Sequence, residues 1–178
     1  MATTALMTGA QFDAMPYEEG RLWELVNGEL IPVSSPNLKH QGIVQKIQVA
    51  FVSYFAANPE RGSSFSDVEF ALSENHRVRP DVFVLLREHL EVIDEDKVPI
   101  PGAPDIAIEV ISPSERSIDS QLKVEAYLRY GTQEVWQVYP KTQSVVIHSG
   151  ANGITLSAGD RITTTLLPGF SLPVQSLF

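Results

Sequence analysis

Hydrophobic and polar positions recur along this chain with two periods, and the switches between them mark out its elements. Residues 8–14 predict a short helix capped by Thr8. Over residues 21–33, two runs of strand formers flank Asn27-Gly28, a strong short turn signal, and predict a hairpin. From Pro36 onward Ile43, Ile47, Ala50, Phe51 and Tyr54 fall at helical spacing, until Asn58-Pro59 ends the helix. Residues 65–72 alternate, with Val68, Phe70 and Leu72 on one side and Asp67 and Glu69 on the other, the pattern of a half-exposed strand with Glu69 towards solvent. Residues 79–86 and 105–111 are apolar on both alternating faces, as in strands buried inside a sheet. Between them, residues 87–104 predict a helical turn and then a polar, proline-bearing loop. Residues 114–130 predict a helix capped by Ser114 and closed by Gly131, with Ile118, Leu122, Ala126 and Tyr130 inward. Strands follow over 134–139, 144–148 and 154–157, and the tail from Leu166 to Phe178 reads as irregular. A helix, a mostly antiparallel run of strands, a second helix and further strands predict an α/β fold in one domain spanning residues 1–178.

One position breaks the apolar pattern. Glu109 lies inside Asp105-Ile106-Ala107-Ile108-Glu109-Val110-Ile111, where a carboxylate is costly unless a metal ion, a lysine or its own proton neutralises it. The other buried strand is entered through Pro80-Asp81, and the following helix carries Lys123. Two carboxylates on neighbouring strand ends and a lysine are the minimum equipment for metal-assisted hydrolysis. Each has a plainer role as well. Asp81 can cap a strand entrance, and Lys123 can pair on the surface with Asp119, four residues earlier, for ~0.3–0.5 kcal/mol. Tyr127, one turn after Lys123, suits either the core or a phosphate. His40 shares the inward stripe of Ile47 and Phe51, as a packing residue, a phosphate donor or a contact to a second metal. In the hairpin, Glu29 adds a carboxylate to the site or faces solvent. No nucleophile elbow, glycine-rich phosphate loop or histidine metal spacing is present.

Charge then narrows the choice of partner. The chain of 178 residues has a net charge of −9, and its five lysines and eight arginines form no run, which weighs against tight gripping of nucleic acid. Part of the acidity is the cluster Glu88, Glu91, Asp94, Glu95 and Asp96, expected as a solvated loop. Without cysteine, disulfide and thiolate chemistry are excluded. No apolar run reaches the ~18 residues that cross a bilayer, and residues 1–8 lack a signal-peptide pattern. A cytoplasmic location is the resulting expectation.

Several segments together resemble the Uma2 family (DUF820), bacterial proteins abundant in cyanobacteria. They are Trp23-Glu24-Leu25-Val26-Asn27-Gly28-Glu29-Leu30, His40 at the first long helix, Arg79-Pro80-Asp81-Val82, Pro104 to Ser114 around Glu109, Lys123 with Tyr127 and Tyr130-Gly131, and Glu134-Val135-Trp136. The likeness covers residues 17–150. It implies a restriction-endonuclease-like PD-(D/E)XK core, a mixed central sheet flanked by helices with an N-terminal β-hairpin. It implies an endonuclease that hydrolyses DNA phosphodiester bonds, with Asp81, Glu109 and the carbonyl of Val110 holding Mg²⁺ or Mn²⁺. Ile111 stands where the broader nuclease pattern has its lysine, so the resemblance assigns that role to Lys123. It also implies a homodimer, for which Leu166, Leu167, Phe170, Leu172 and Phe178 offer apolar material. The alternatives are a catalytically inactive nuclease-fold interaction module, which the acidic charge favours, and a hydrolase for a small phosphorylated metabolite.

Overall fold

The computed structural model describes residues 6–16 and 18–178; of the segment read for a signal peptide, residues 1–5 lie outside them. The elements run α1 (Gly9–Asp13), β1 (Leu22–Val26), β2 (Glu29–Val33), α2 (Leu38–Ala57), β3 (Gly62–Phe65), β4 (Phe70–Ser73), β5 (His76–Val78), β6 (Val82–Leu86), α3 (Arg87–Leu90), β7 (Ile100–Pro101), β8 (Ile106–Val110), α4 (Ser117–Arg129), β9 (Glu134–Tyr139), β10 (Ser144–Ser149), β11 (Asn152–Leu156), β12 (Arg161–Ile162) and β13 (Leu172–Pro173). Among the described residues the strands form a mixed six-stranded sheet, β11-β10-β9-β8-β6-β3, a five-stranded sheet, β2-β1-β5-β4-β7, and the pair β12-β13. Only β8 and β9 run parallel within the larger sheet. This is the expected α/β arrangement, with the N-terminal hairpin in place. Its turn residues Asn27 and Gly28 have φ of 53° and 77°, as a type I′ turn requires.

Strand β8 is apolar on both faces because both are covered. Ile106, Ile108 and Val110 pack towards Ile43, Ile47, Phe51 and Phe55 of α2, in one core cluster. Ala107 points the other way, into a second cluster with Val124 and Tyr127 of α4 and Phe70, Leu72 and Val78 of the smaller sheet. Glu109, two residues on from Ala107, shares its face and therefore faces α4.

Several expectations need correction. Residues 65–72 are not one strand. The chain leaves the larger sheet after Phe65, turns through Asp67 at φ 58°, and enters the smaller sheet at Phe70. Within residues 79–86 the strand is β6 from Val82, entered through Pro80-Asp81 as expected; Arg79-Pro80-Asp81 form the link from β5 in the smaller sheet, where proline has no N–H for a ladder. Asp67 N–H bonds Pro80 O at 3.3 Å, so both crossings meet at the seam between the sheets. Glu69 is consequently half-buried against Arg79, not solvent-facing.

Helix α4 begins at Ser117 rather than Ser114, because Ser112 to Glu115 form a separate turn closed by Glu115 N–H to Ser112 O at 3.0 Å. Its inward face is also turned from the expected stripe. Ile118 and Tyr130 are 49% and 36% exposed, whereas Asp119, Ser120, Lys123 and Tyr127 are buried. The predicted loop before Pro104 contains β7, which pairs parallel with β4.

The tail is ordered into the core. Leu167, Phe170, Leu172, Val174 and Leu177 are buried under α2, with the Phe170 ring 4.8 Å from that of Phe51. The apolar residues expected to serve a subunit contact are thus largely used within their own chain. Among the described residues no helix is long and apolar enough to cross a membrane.

Candidate active site

The seam between the two sheets gathers the charged side chains. Asp81 immediately precedes Val82, which pairs with Ile108, and Asp81 and Glu109 line the same cleft. Val110 N–H donates to Asp81 Oδ2 at 2.7 Å, fastening that carboxylate to the end of β8. From the other sheet, β1 contributes Glu24. Lys123 Nζ reaches up from α4 to lie 2.8 Å from Glu109 Oε2 and 3.0 Å from Glu24 Oε2. The remaining oxygens are held too: Tyr127 O–H donates to Glu109 Oε1 at 2.9 Å, and Arg79 N–H donates to Glu24 Oε1 at 2.7 Å.

Asp81, Glu109, Val110, Glu24 and Lys123 line a cleft of about 160 Å³ that also includes His40, Arg79, Glu115 and Asp119, with Tyr127 buried behind it. Burial raises the carboxyl of Glu109 above its ordinary range, with the Lys123 ammonium opposing. For Lys123 burial acts downward, but Glu109 and Glu24 outweigh it, so the ammonium is held charged. His40 Nε2 sits 3.2 Å from Asp81 Oδ2, and that hydrogen bond raises the imidazole against the pull of burial. Its buried Nδ1 has no hydrogen-bond partner. Burial likewise raises Glu115 and, further, Tyr127.

The structure thus brings Asp81, Glu109, Val110, Lys123, Tyr127 and His40 together. Glu29 it does not: that side chain is exposed on β2 and is absent from the cleft lining, where Glu24 stands in its place. Glu24 was legible as an acid between Trp23, Leu25 and Val26, the signature that singles out Glu109. Nor does Asp119 pair with Lys123; its carboxylate lies 3.6 Å from Arg116.

Among the described residues no three His, Cys, Asp or Glu side chains form a group that could hold a metal ion by themselves. Mg²⁺, however, usually takes only one or two protein carboxylates and keeps water for the rest. The donor set here suits that pattern. Asp81 and Glu109 bring hard oxygen donors to one cleft, which Val110 also lines.

Comparison with known proteins agrees with this fold. A solved structure, that of a putative nuclease belonging to DUF820 from Anabaena variabilis ATCC 29413, superposes with a TM-score of 0.83 at 20% identity, covering 97% of each chain. It shows that the two share a fold. No curated protein matches the chain. The family model of Uma2, described as "Putative restriction endonuclease", matches residues 10–175, from α1 to the closing turn of the tail. The chain belongs to the Uma2 family.

Proposed function

We propose that this chain is a metal-dependent endonuclease hydrolysing DNA phosphodiester bonds, and that it acts as one domain. The observation carrying this reading is that Asp81 and Glu109 line one cleft, open to solvent, beside a charged, buried Lys123. Asp81, Glu109 and the Val110 carbonyl would hold Mg²⁺ or Mn²⁺. Bound there, the ion supplies Lewis acidity to the phosphoryl group and makes water a better nucleophile.

The chain's own residues perform the rest. Lys123 has three N–H donors, of which Glu109 and Glu24 take two. Its positive charge opposes the burial that raises Glu109 and faces the charge that builds on the phosphoryl oxygens. Tyr127 is fully buried, so it positions Glu109 rather than touching substrate. His40 orients Asp81 from the first turn of α2. One chain carries this whole set, so the reading requires no subunit contact.

Cleavage of supercoiled plasmid and of single-stranded DNA with Mg²⁺ or Mn²⁺ tests the reading, with wild type beside Asp81→Asn and Glu109→Gln. Nicking that needs the ion and disappears in both variants is the expected result. No cleavage, or cleavage that survives both substitutions, overturns it.

A second reading, a catalytically inactive interaction module, draws on one observation: Lys123 is engaged by two carboxylates in a buried, self-neutralising cluster. Calorimetry separates the two, since the module gives no heat of binding with either ion.

A further inference from the structure

A second cavity opens beside the carboxylate cleft and shares Ser34, Pro36, His40 and Ser112 with it. Three chain segments meet there: the link from β2 to α2, the residues following β8, and the turn following β9. It therefore lies outside the carboxyl ends of the parallel pair β8–β9, where open α/β sheets bind their ligands. Its volume is about 200 Å³, below the range typical of drug-sized sites and suited to a small group.

Its charge sets it apart. In a chain with 22 acidic and 13 basic residues, this cavity is lined by Lys39, Lys141 and His40 and by no carboxylate. The other cavities described each include at least one Asp or Glu. Elsewhere the cations are mostly neutralised, as Arg77, Arg79, Arg87 and Arg116 are by adjacent acids. Lys39 instead donates to the carbonyl of Pro140 at 2.9 Å, which fixes its position and leaves its charge. The first turn of α2 contains no acidic residue to offset it. Among the described residues neither Lys39 nor Lys141 lies in a salt bridge with a carboxylate.

We propose that this cavity is a phosphate subsite, in which Lys39 and Lys141 hold the backbone phosphate next to the one attacked beside Asp81 and Glu109. The proposal rests on the nuclease reading and deepens it. A substrate engaging both cavities spans at least two consecutive phosphates, so it is a polynucleotide strand rather than a mononucleotide or small phosphate ester. Two lysine contacts also suffice for an acidic protein, at the cost of a shallow salt dependence.

The test is binding of a fluorescent 12-mer of thymidine, followed by anisotropy in EDTA across a range of salt, so that no cleavage is needed. Lys141→Ala weakens binding and flattens the slope of log K against log salt by about 0.7, one single-strand phosphate contact. Lys141→Arg retains most of the slope, and Lys97→Ala, in the acidic segment before β7, leaves it unchanged. Thymidine 5′-monophosphate, with one phosphate, competes weakly and loses less affinity in Lys141→Ala than the 12-mer does. An unaltered slope in Lys141→Ala, an equal effect from Lys97→Ala, or no binding of the 12-mer at low salt overturns the subsite. A monophosphate affinity that falls as far as that of the 12-mer overturns the strand assignment in favour of a free phosphate monoester. Because the readout is binding without metal, failure of plasmid nicking cannot imitate failure here.

Discussion

Glu24 and Glu109 come from different sheets and meet on one ammonium, Lys123 Nζ, at 3.0 and 2.8 Å. All three side chains are buried, so the cluster joins the sheets only while each charge is answered. Removing one partner of a buried ion pair costs about 3–5 kcal/mol, because the others stay buried and unpaired. Lys123→Met is therefore expected to lower the urea-unfolding free energy by that order. Adding Glu24→Gln and Glu109→Gln to it should recover much of the loss. A single variant within about 1 kcal/mol of wild type would mean that water already solvates the cluster.

Asp81 separates function from fold more cleanly. Its side chain is partly exposed, and its contacts to Val110 N–H and His40 are ones an amide oxygen can largely keep. Asp81→Asn should change stability by no more than about 0.5 kcal/mol. Metal-dependent cleavage should fall by about 100-fold or more, since a neutral amide is a far poorer ligand for a hard cation. Retained cleavage in a folded Asp81→Asn protein would remove this carboxylate from the catalytic pair.

Tyr127 tests positioning alone. Tyr127→Phe keeps the buried ring but removes the donor to Glu109 Oε1, leaving an acceptor unpaired at a cost of about 1–3 kcal/mol. The expected kinetic signature is a lower kcat, by about 10–100-fold, with KM unchanged. A change confined to KM would place the hydroxyl against substrate instead.

Much of this site was legible because its residues violate local pattern. Glu109 stood out as an acid in an apolar strand, and Asp81 as the acid after a proline at a strand entrance. What the sequence concealed was tertiary. Helical spacing put Ile118 and Tyr130 on the packed face of α4, but Glu109 and Glu24 draw Lys123 and Tyr127 inward and leave those two outside. Residues 65–72 alternate well enough for one strand, and nothing local announces that the chain changes sheets at Asp67. Glu24 was read only as an acid of the hairpin, and its burial and proximity to Glu109 follow only once the two sheets meet. The acidic composition, averaged over the chain, also hid the local pairing of Lys39 with Lys141.

The tail offers a test of its place in the core. Phe170 is 5% exposed, stacks on Phe51 and meets Tyr54 edge-on at 5.7 Å. Phe170→Ala should cost about 3–5 kcal/mol through lost burial and the cavity left behind. If the ring serves its own chain, that loss is independent of protein concentration. A melting temperature that rises with concentration in wild type, but not in the variant, would return the tail to a subunit contact.

His76 sets a pH dependence away from the carboxylates. Its Nε2 accepts Asn27 N–H at 3.1 Å, its Nδ1 lies 2.8 Å from Ser73 Oγ, and its ring packs on Tyr130 at 4.9 Å. The imidazole thereby links the β1–β2 turn to the β4–β5 turn in its neutral form. Burial, helped by the charge of Arg129, holds it below its ordinary value near 6.5. Between the depressed folded value and the unfolded one, the unfolded chain binds the extra proton, so stability rises with pH through that window. The contribution of His76 is thus present above about pH 6.5 and is lost as pH falls towards the folded value. Other groups tilt the absolute curve, Glu109 in the opposite sense, so the measurement is a difference: urea midpoints of wild type and His76→Gln from pH 7.5 to pH 5. The gap between them should be widest at the upper end and narrow as the pH falls. A gap constant across the range would show that His76 accepts its proton in the folded state as readily as in the unfolded one.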